Sequence, residues 1–167
     1  MEHTISVIVE NKSGVLTRVS GLFSRRGYNI ESLAVGETDV PGISRMTIVV
    51  NGDERIIEQV EKQLYKLIDV IKVIHLTDEE FVERELVLIK LSVSKSTRTE
   101  ILQVVDIFRA KVIDMNVSSF VIEATGTTSK ISALEKALRP YGIREIVRTG
   151  MVALSRGAKK SKGVSIR

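Results

Sequence analysis

The sequence has no cysteine and no tryptophan, only two prolines, and 4% aromatic residues. Without cysteine, disulfides and thiolate metal ligands are excluded, and a cytoplasmic setting is expected. Apolar runs are only a few residues long. A membrane span needs about 20 apolar residues in a row, so none is expected. The opening Met-Glu-His-Thr-Ile lacks the charged-then-apolar form of an export signal. Catalytic groupings are also missing. His3 and His75 have no His or Cys companion at ligand spacing, so a structural or solvated role is expected for each. No Gly-x-Ser-x-Gly, phosphate loop or dinucleotide fingerprint occurs. The expectation is no catalytic residue, no metal and no cofactor on this chain.

The net charge of +4 is uneven. Residues 155–167 hold Arg156, Lys159, Lys160, Lys162 and Arg167 with no acid, so this +5 leaves the body of the chain at −1. A nucleic-acid face would need basic residues on the folded body, interleaved with aromatics. The body has neither. The tail reads as a solvated, flexible extension.

What is present suits a globular protein: 167 residues, 43% hydrophobic, with a mean hydropathy of +0.10. That length fits one ordinary domain or two small ones. The stretch Asn11-Lys12-Ser13-Gly14-Val15-Leu16 organises the rest. Before it, Ile5, Val7 and Val9 alternate; after it, Val15, Leu16, Val19, Leu22 and Phe23 repeat with a helical period. The change of period marks a strand-loop-helix junction. Asn11 and Ser13 are candidate N-caps, and Gly14 leaves the first turn open. Such a helix start carries partial positive charge and can hold a carboxylate.

The first strand runs from about His3 to Glu10 and the helix from Gly14 to Arg26, with Arg18, Arg25 and Arg26 on its polar side. Gly27 suits the left-handed position that ends a helix. Asn29–Gly36 and Ile43–Val50 read as strands joined by a type II turn at Pro41-Gly42. Asp53 caps a helix over Glu54–Leu67, with Glu58 and Lys62 paired at i,i+4. Val70–Leu76 closes the first set of elements. Residues 78–85 are acid-rich without a clear period and read as a linker.

The order then repeats. A strand over Leu86–Ser94 precedes a helix with a Thr97–Glu100 capping box. A hairpin turns at Ser118-Ser119. Ser129 caps a last helix before the strand Ile143–Thr149. The fold class is therefore α+β, two tandem ferredoxin-like βαββαβ units.

In that fold the sheet order is 4-1-3-2, so Asn29–Gly36 lies on an open edge suited to pairing with a second copy. Strands 1 and 2 run parallel, so Asn11 and Asn29 belong to opposite poles of one chain. Antiparallel edge pairing would bring the partner's Asn29 and Ile30 to the Asn11 loop. The resulting cleft offers helix N–H groups, the amides of Asn11 and Asn29, and an apolar wall of Val15, Leu16 and Ile30. That set complements a small apolar amino acid.

These residues also carry a resemblance. Asn11–Leu16, the run Leu22-Phe23-Ser24-Arg25-Arg26-Gly27-Tyr28-Asn29-Ile30-Glu31-Ser32-Leu33, and Ser44-Arg45-Met46-Thr47 are similar to the regulatory (small) subunits of acetolactate synthase, also called acetohydroxyacid synthase. The likeness continues through Glu58-Gln59, Lys62-Gln63-Leu64, Val82–Glu85, Ile107-Phe108-Arg109, Arg148-Thr149-Gly150 and Leu154–Gly157. Ala110-Lys111 departs from the Gly-containing pair common there, and the lysine-rich tail is not shared.

The chain reads as a first unit over 1–77, a linker over 78–85, a second unit over 86–154 and a basic tail over 155–167, and the resemblance implies that the first unit is an ACT domain and the second ACT-like. It implies a homodimer that binds valine at Asn11, Gly14, Val15, Leu16, Asn29 and Ile30. It also implies a separate catalytic subunit carrying thiamine diphosphate, Mg2+ and FAD, which this chain activates and subjects to feedback inhibition. The second unit would help contact that subunit. The alternative is a stand-alone amino-acid sensor acting on transcription; it would need a helix-turn-helix or a basic face, and the body has neither.

Overall fold

The computed structural model describes residues 1–157. The expected basic tail therefore falls, from position 158 onward, outside the described residues. The chain divides into two compact units, one formed by Met1–Val82 with the segment that begins at Met151, the other by Glu83–Gly150.

In the first unit the elements are β1 (Glu2–Glu10), α1 (Val15–Arg25), β2 (Ile30–Glu37), β3 (Ile43–Asn51), α2 (Glu54–Leu64) and β4 (Val70–His75). Their sheet has the order β2-β3-β1-β4, with antiparallel neighbours. This is the 4-1-3-2 arrangement expected from the sequence. Alternation in β1 sends Ile5, Val7 and Val9 to the face covered by the helices, where they meet Val15, Val19, Leu22 and Phe23 of α1 and Ile57, Val60 and Leu64 of α2. Each such large side chain contributes roughly 1.5–3 kcal/mol when fully buried.

Local chemistry ends the elements. Gly27 follows α1 with φ +69°, and its N–H and that of Tyr28 close back onto Ser24 and Phe23. Gly42 takes φ +77° in the β2–β3 turn, where the Ile43 N–H bonds the Val40 carbonyl at 3.2 Å. Asp53 accepts from the Ile56 N–H at 2.9 Å, as a cap should. The Glu58–Lys62 pair forms at 3.5 Å.

A 3-10 turn, Leu76–Asp78, leads to β5 (Phe81–Ser92). The second unit continues with α3 (Arg98–Ile107), β6 (Lys111–Met115), β7 (Ser119–Gly126), α4 (Thr128–Leu138) and β8 (Ile143–Arg148). Its order is β6-β7-β5-β8, again 4-1-3-2. Val87, Ile89 and Leu91 of β5 build a core with Ile101, Phe120, Ile122, Ile131, Leu134 and Leu138.

Four expectations are corrected here. The linker over 78–85 is largely strand, because Phe81–Glu85 already belong to β5. Burial there alternates, and Glu85 is buried with its carboxylate 3.5 Å from the Arg148 guanidinium. The acids that suggested a solvated linker thus coexist with extended backbone. Second, β9 (Val152–Ser155) is an additional strand that pairs with β5, and buried Met151 just before it donates its N–H to Ser32 Oγ at 2.9 Å. Third, Thr97 makes no capping box; its Oγ1 instead accepts from the Ser94 N–H at 3.0 Å. Fourth, α4 is capped by Thr127 and not Ser129: Thr127 Oγ1 accepts from the Lys130 N–H at 3.3 Å.

Candidate functional site

The loop from Asn11 to Leu16 joins β1 to α1, and its hydrogen bonds fix it firmly. The Asn11 N–H bonds the Gly42 carbonyl at 2.8 Å, while its side-chain amide donates to Glu37 Oε1 at 2.6 Å. Neither Asn11 nor Ser13 caps the helix. The N-cap is Gly14, at φ +84°, with no side-chain cap hydrogen bond. Glycine is favoured here because that φ lies in the left-handed region. Glu10 bonds the Lys12 ammonium and raises its pKa above the ordinary 10.5.

A cation lies across this helix start. Arg18, one turn along α1, donates through Nε and Nη2 to Asp69 Oδ2, both at 2.7 Å. Asp69 is buried, and its carbonyl accepts the Glu10 N–H at 2.9 Å. The remaining guanidinium nitrogen, Nη1, stands 3.0 Å from the place a Gly14 Cβ would take. The first turn of α1 contains no acid.

The predicted site residues separate into two groups. Asn11, Gly14, Val15 and Leu16 are together at one pole. Leu16 is 46% exposed and open to a ligand, but Val15 is 4% exposed and its side chain belongs to the chain's own core. Val15 is thus no part of an open apolar wall. Asn29 and Ile30 are at the other pole, where Ile30 pairs with Val50 and the Asn29 amide bonds Glu31 at 2.9 Å. Strand β2 lies at the edge of its sheet, with Val35 47% exposed.

Comparison with known proteins gives this geometry its context. Residues 5–72 match the family described as the AHAS small subunit-like ACT domain, and residues 84–157 match the one described as the small subunit of acetolactate synthase. The chain is 56% identical over 160 residues to a probable acetolactate synthase small subunit of Archaeoglobus fulgidus, covering 96% of this chain and 100% of that protein. The chain belongs to the acetolactate synthase small-subunit family. The acetolactate synthase small subunit of Mycolicibacterium smegmatis is 54% identical over 157 residues, or 94% of this chain and 92% of that one. The crystal structure of the Thermotoga maritima small subunit superposes with a TM-score of 0.87 at 46% identity, covering 95% and 99% of the two chains. The first unit is therefore an ACT domain. A small subunit implies a large, catalytic one as its partner.

Within this small subunit, sequence reading missed two clusters. One is Arg18–Asp69, whose members are 51 positions apart; only the arginine's place on the polar side of α1 hinted at it. The other unites the two histidines. His3 Nδ1 lies 3.1 Å from His75 Nε2, and His75 Nδ1 lies 2.8 Å from Asp78 Oδ2. Asp78 assigns the His75 proton to Nδ1, so His75 Nε2 accepts from His3. Glu61 Oε1 stands 3.8 Å from His75 Nδ1, and burial pushes the Glu61 carboxyl up while His75 pulls it partway back. These groups, with Glu54 and Glu58, line a cavity of about 380 Å³. Among the described residues, no group of three or more His, Asp or Glu side chains is placed to hold a metal ion.

Proposed function

We propose that this chain is the non-catalytic regulatory partner of an acetolactate synthase, that it dimerises through the β2 edges, and that the dimer binds valine. In this reading the helix start at Gly14 receives the effector's carboxylate, and the Asn11 and Asn29 amides meet its polar groups. Leu16 and the second copy's Ile30 flank the side chain, while Val15 contributes through its backbone only. The catalytic subunit carries thiamine diphosphate, Mg2+ and FAD. This chain raises its activity and makes it sensitive to valine.

The single observation that supports the reading best is the Gly14 helix start: without a side-chain cap hydrogen bond, with the Arg18 guanidinium beside it, flanked by exposed Leu16, and set in an ACT domain of this family. Valine inhibits by favouring one arrangement of the dimer. The coupling equals valine's differential affinity for the two arrangements and can be no larger.

Two measurements test it. Titration calorimetry of valine into the full chain should give saturable heat in the millimolar range or below. Mixing the chain with the catalytic subunit and assaying acetolactate formed from pyruvate should show higher activity, which valine then reduces. Activity by this chain alone, or no valine response in the mixture, would overturn the reading.

A further inference from the structure

The geometry points to Arg18 as the residue that recognises the effector's carboxylate, and to Asp69 as the group that positions it. This rests on the valine site proposed above and adds to it a side chain which that reading did not contain. Three observations converge. First, the guanidinium is only partly used: Nε and Nη2 bond Asp69 Oδ2, which leaves the two N–H groups of Nη1 turned toward Gly14. Second, Nη1 occupies the space in front of Gly14 that any Cβ would fill, at 3.0 Å. Gly14 therefore serves two ends, a left-handed φ and room for the arginine. Third, the cation stands at the positive end of α1, whose first turn contains no acid. That placement is unfavourable for a cation unless an anion joins it. Asp69 supplies that anion and balances the single charge, but it bonds only the Nε and Nη2 edge, so a ligand carboxylate over the first turn would find the Nη1 N–H groups and the positive helix end still available.

Such a carboxylate accepts from backbone N–H groups of the helix start and from Nη1 together, without displacing Asp69. An arginine fork is suited to this because its edges can serve two acceptors at once. Asp69 is buried, and its own carbonyl is tied to the Glu10 N–H. The arginine is thus held against a fixed point and loses little freedom when the ligand arrives.

The test compares L-valine with L-valinamide, which keeps the ammonium and side chain but lacks the negative charge. Both are titrated calorimetrically into the full chain. Wild type should prefer valine. In R18Q valine affinity should fall by about tenfold to a hundredfold, the range expected for one charge-assisted hydrogen bond, and the preference over valinamide should shrink by the same factor. R18K should recover part of it. Because R18Q leaves a buried carboxylate without its cation, R18Q/D69N is the companion variant; it has neither charge, and Asn keeps the shape of Asp69 while Gln is shorter than the arginine. A folded R18Q/D69N chain with wild-type valine affinity and wild-type preference would overturn the proposal and leave the valine site standing. No valine binding by wild type would overturn the site itself, and Arg18's role with it.

Discussion

Asn11 and Ile30 lie at opposite ends of one sheet. Glu10, beside Asn11, pairs with Ile43 at the start of β3, whereas Ile30 pairs with Val50 near its end. At a rise of roughly 3.4 Å per residue, that register puts about 24 Å between the two poles. No single amino acid bridges that distance, so the two halves of the proposed valine site can meet only when two copies pair.

The first prediction follows from this separation. Val35 is exposed on the open edge β2. Lysine on an edge strand discourages pairing. V35K should sediment as a monomer at micromolar concentration, keep its far-ultraviolet circular dichroism, and give no heat with valine although Asn11–Leu16 is intact. A V35K dimer that still binds valine would rule out the β2 edge as the interface.

Gly14→Asp should abolish valine inhibition of the reconstituted enzyme while leaving its activation. The new carboxylate would face the effector's own and would pair with Arg18 Nη1, which lies within 3.0 Å of the Cβ position. At φ +84° the substitution also costs about 1–2 kcal/mol of strain. Gly14→Ala bears that strain without the charge. Inhibition should therefore be weakened less in the alanine variant, and equal loss in both would assign the effect to strain or to the new Cβ crowding Arg18 Nη1 and not to the charge.

Glu61 sets a pH dependence of known sign. Burial is the largest cause of its raised pKa, opposed by His75 and reinforced by Asp78 and Glu58. The folded chain thus holds this proton more tightly than the unfolded chain does. Its contribution to stability is present below the ordinary value of 4.5 and is lost as pH rises through the raised value. E61Q cannot ionise. In urea unfolding at successive pH values, E61Q should gain on wild type as pH rises from below 4.5 toward neutrality. A constant difference would show that Glu61 does not titrate in this way.

Arg109 ends α3 in the left-handed region, at φ +51°, the one such non-glycine residue among those described. Arginine there costs about 1–2 kcal/mol relative to its favoured conformations, and glycine returns part of that gain through unfolded-state entropy. R109G should stabilise the chain by about 0.5–1 kcal/mol in thermal or urea unfolding. A lower midpoint would mean that the arginine side chain contributes more than its backbone costs.

The sequence by itself determined whatever depends on near neighbours. The alternation of Ile5, Val7 and Val9, the left-handed glycines at 27 and 42, the Asp53 cap and the repeated βαββαβ order all follow from residues within a few positions of each other. From that order came the sheet topology, the open edge and the opposite poles of Asn11 and Asn29. Only tertiary structure decided the rest. Asn11 is drawn from capping by Glu37, 26 positions away, and Gly14 becomes the N-cap instead. Val15 turns into the core. His3 reaches His75 across 72 positions, and Arg18 reaches Asp69 across 51. The physical reason is common to all of these: a side chain's partner is chosen by which groups share its space once the sheet has formed, and spacing along the chain does not encode that choice.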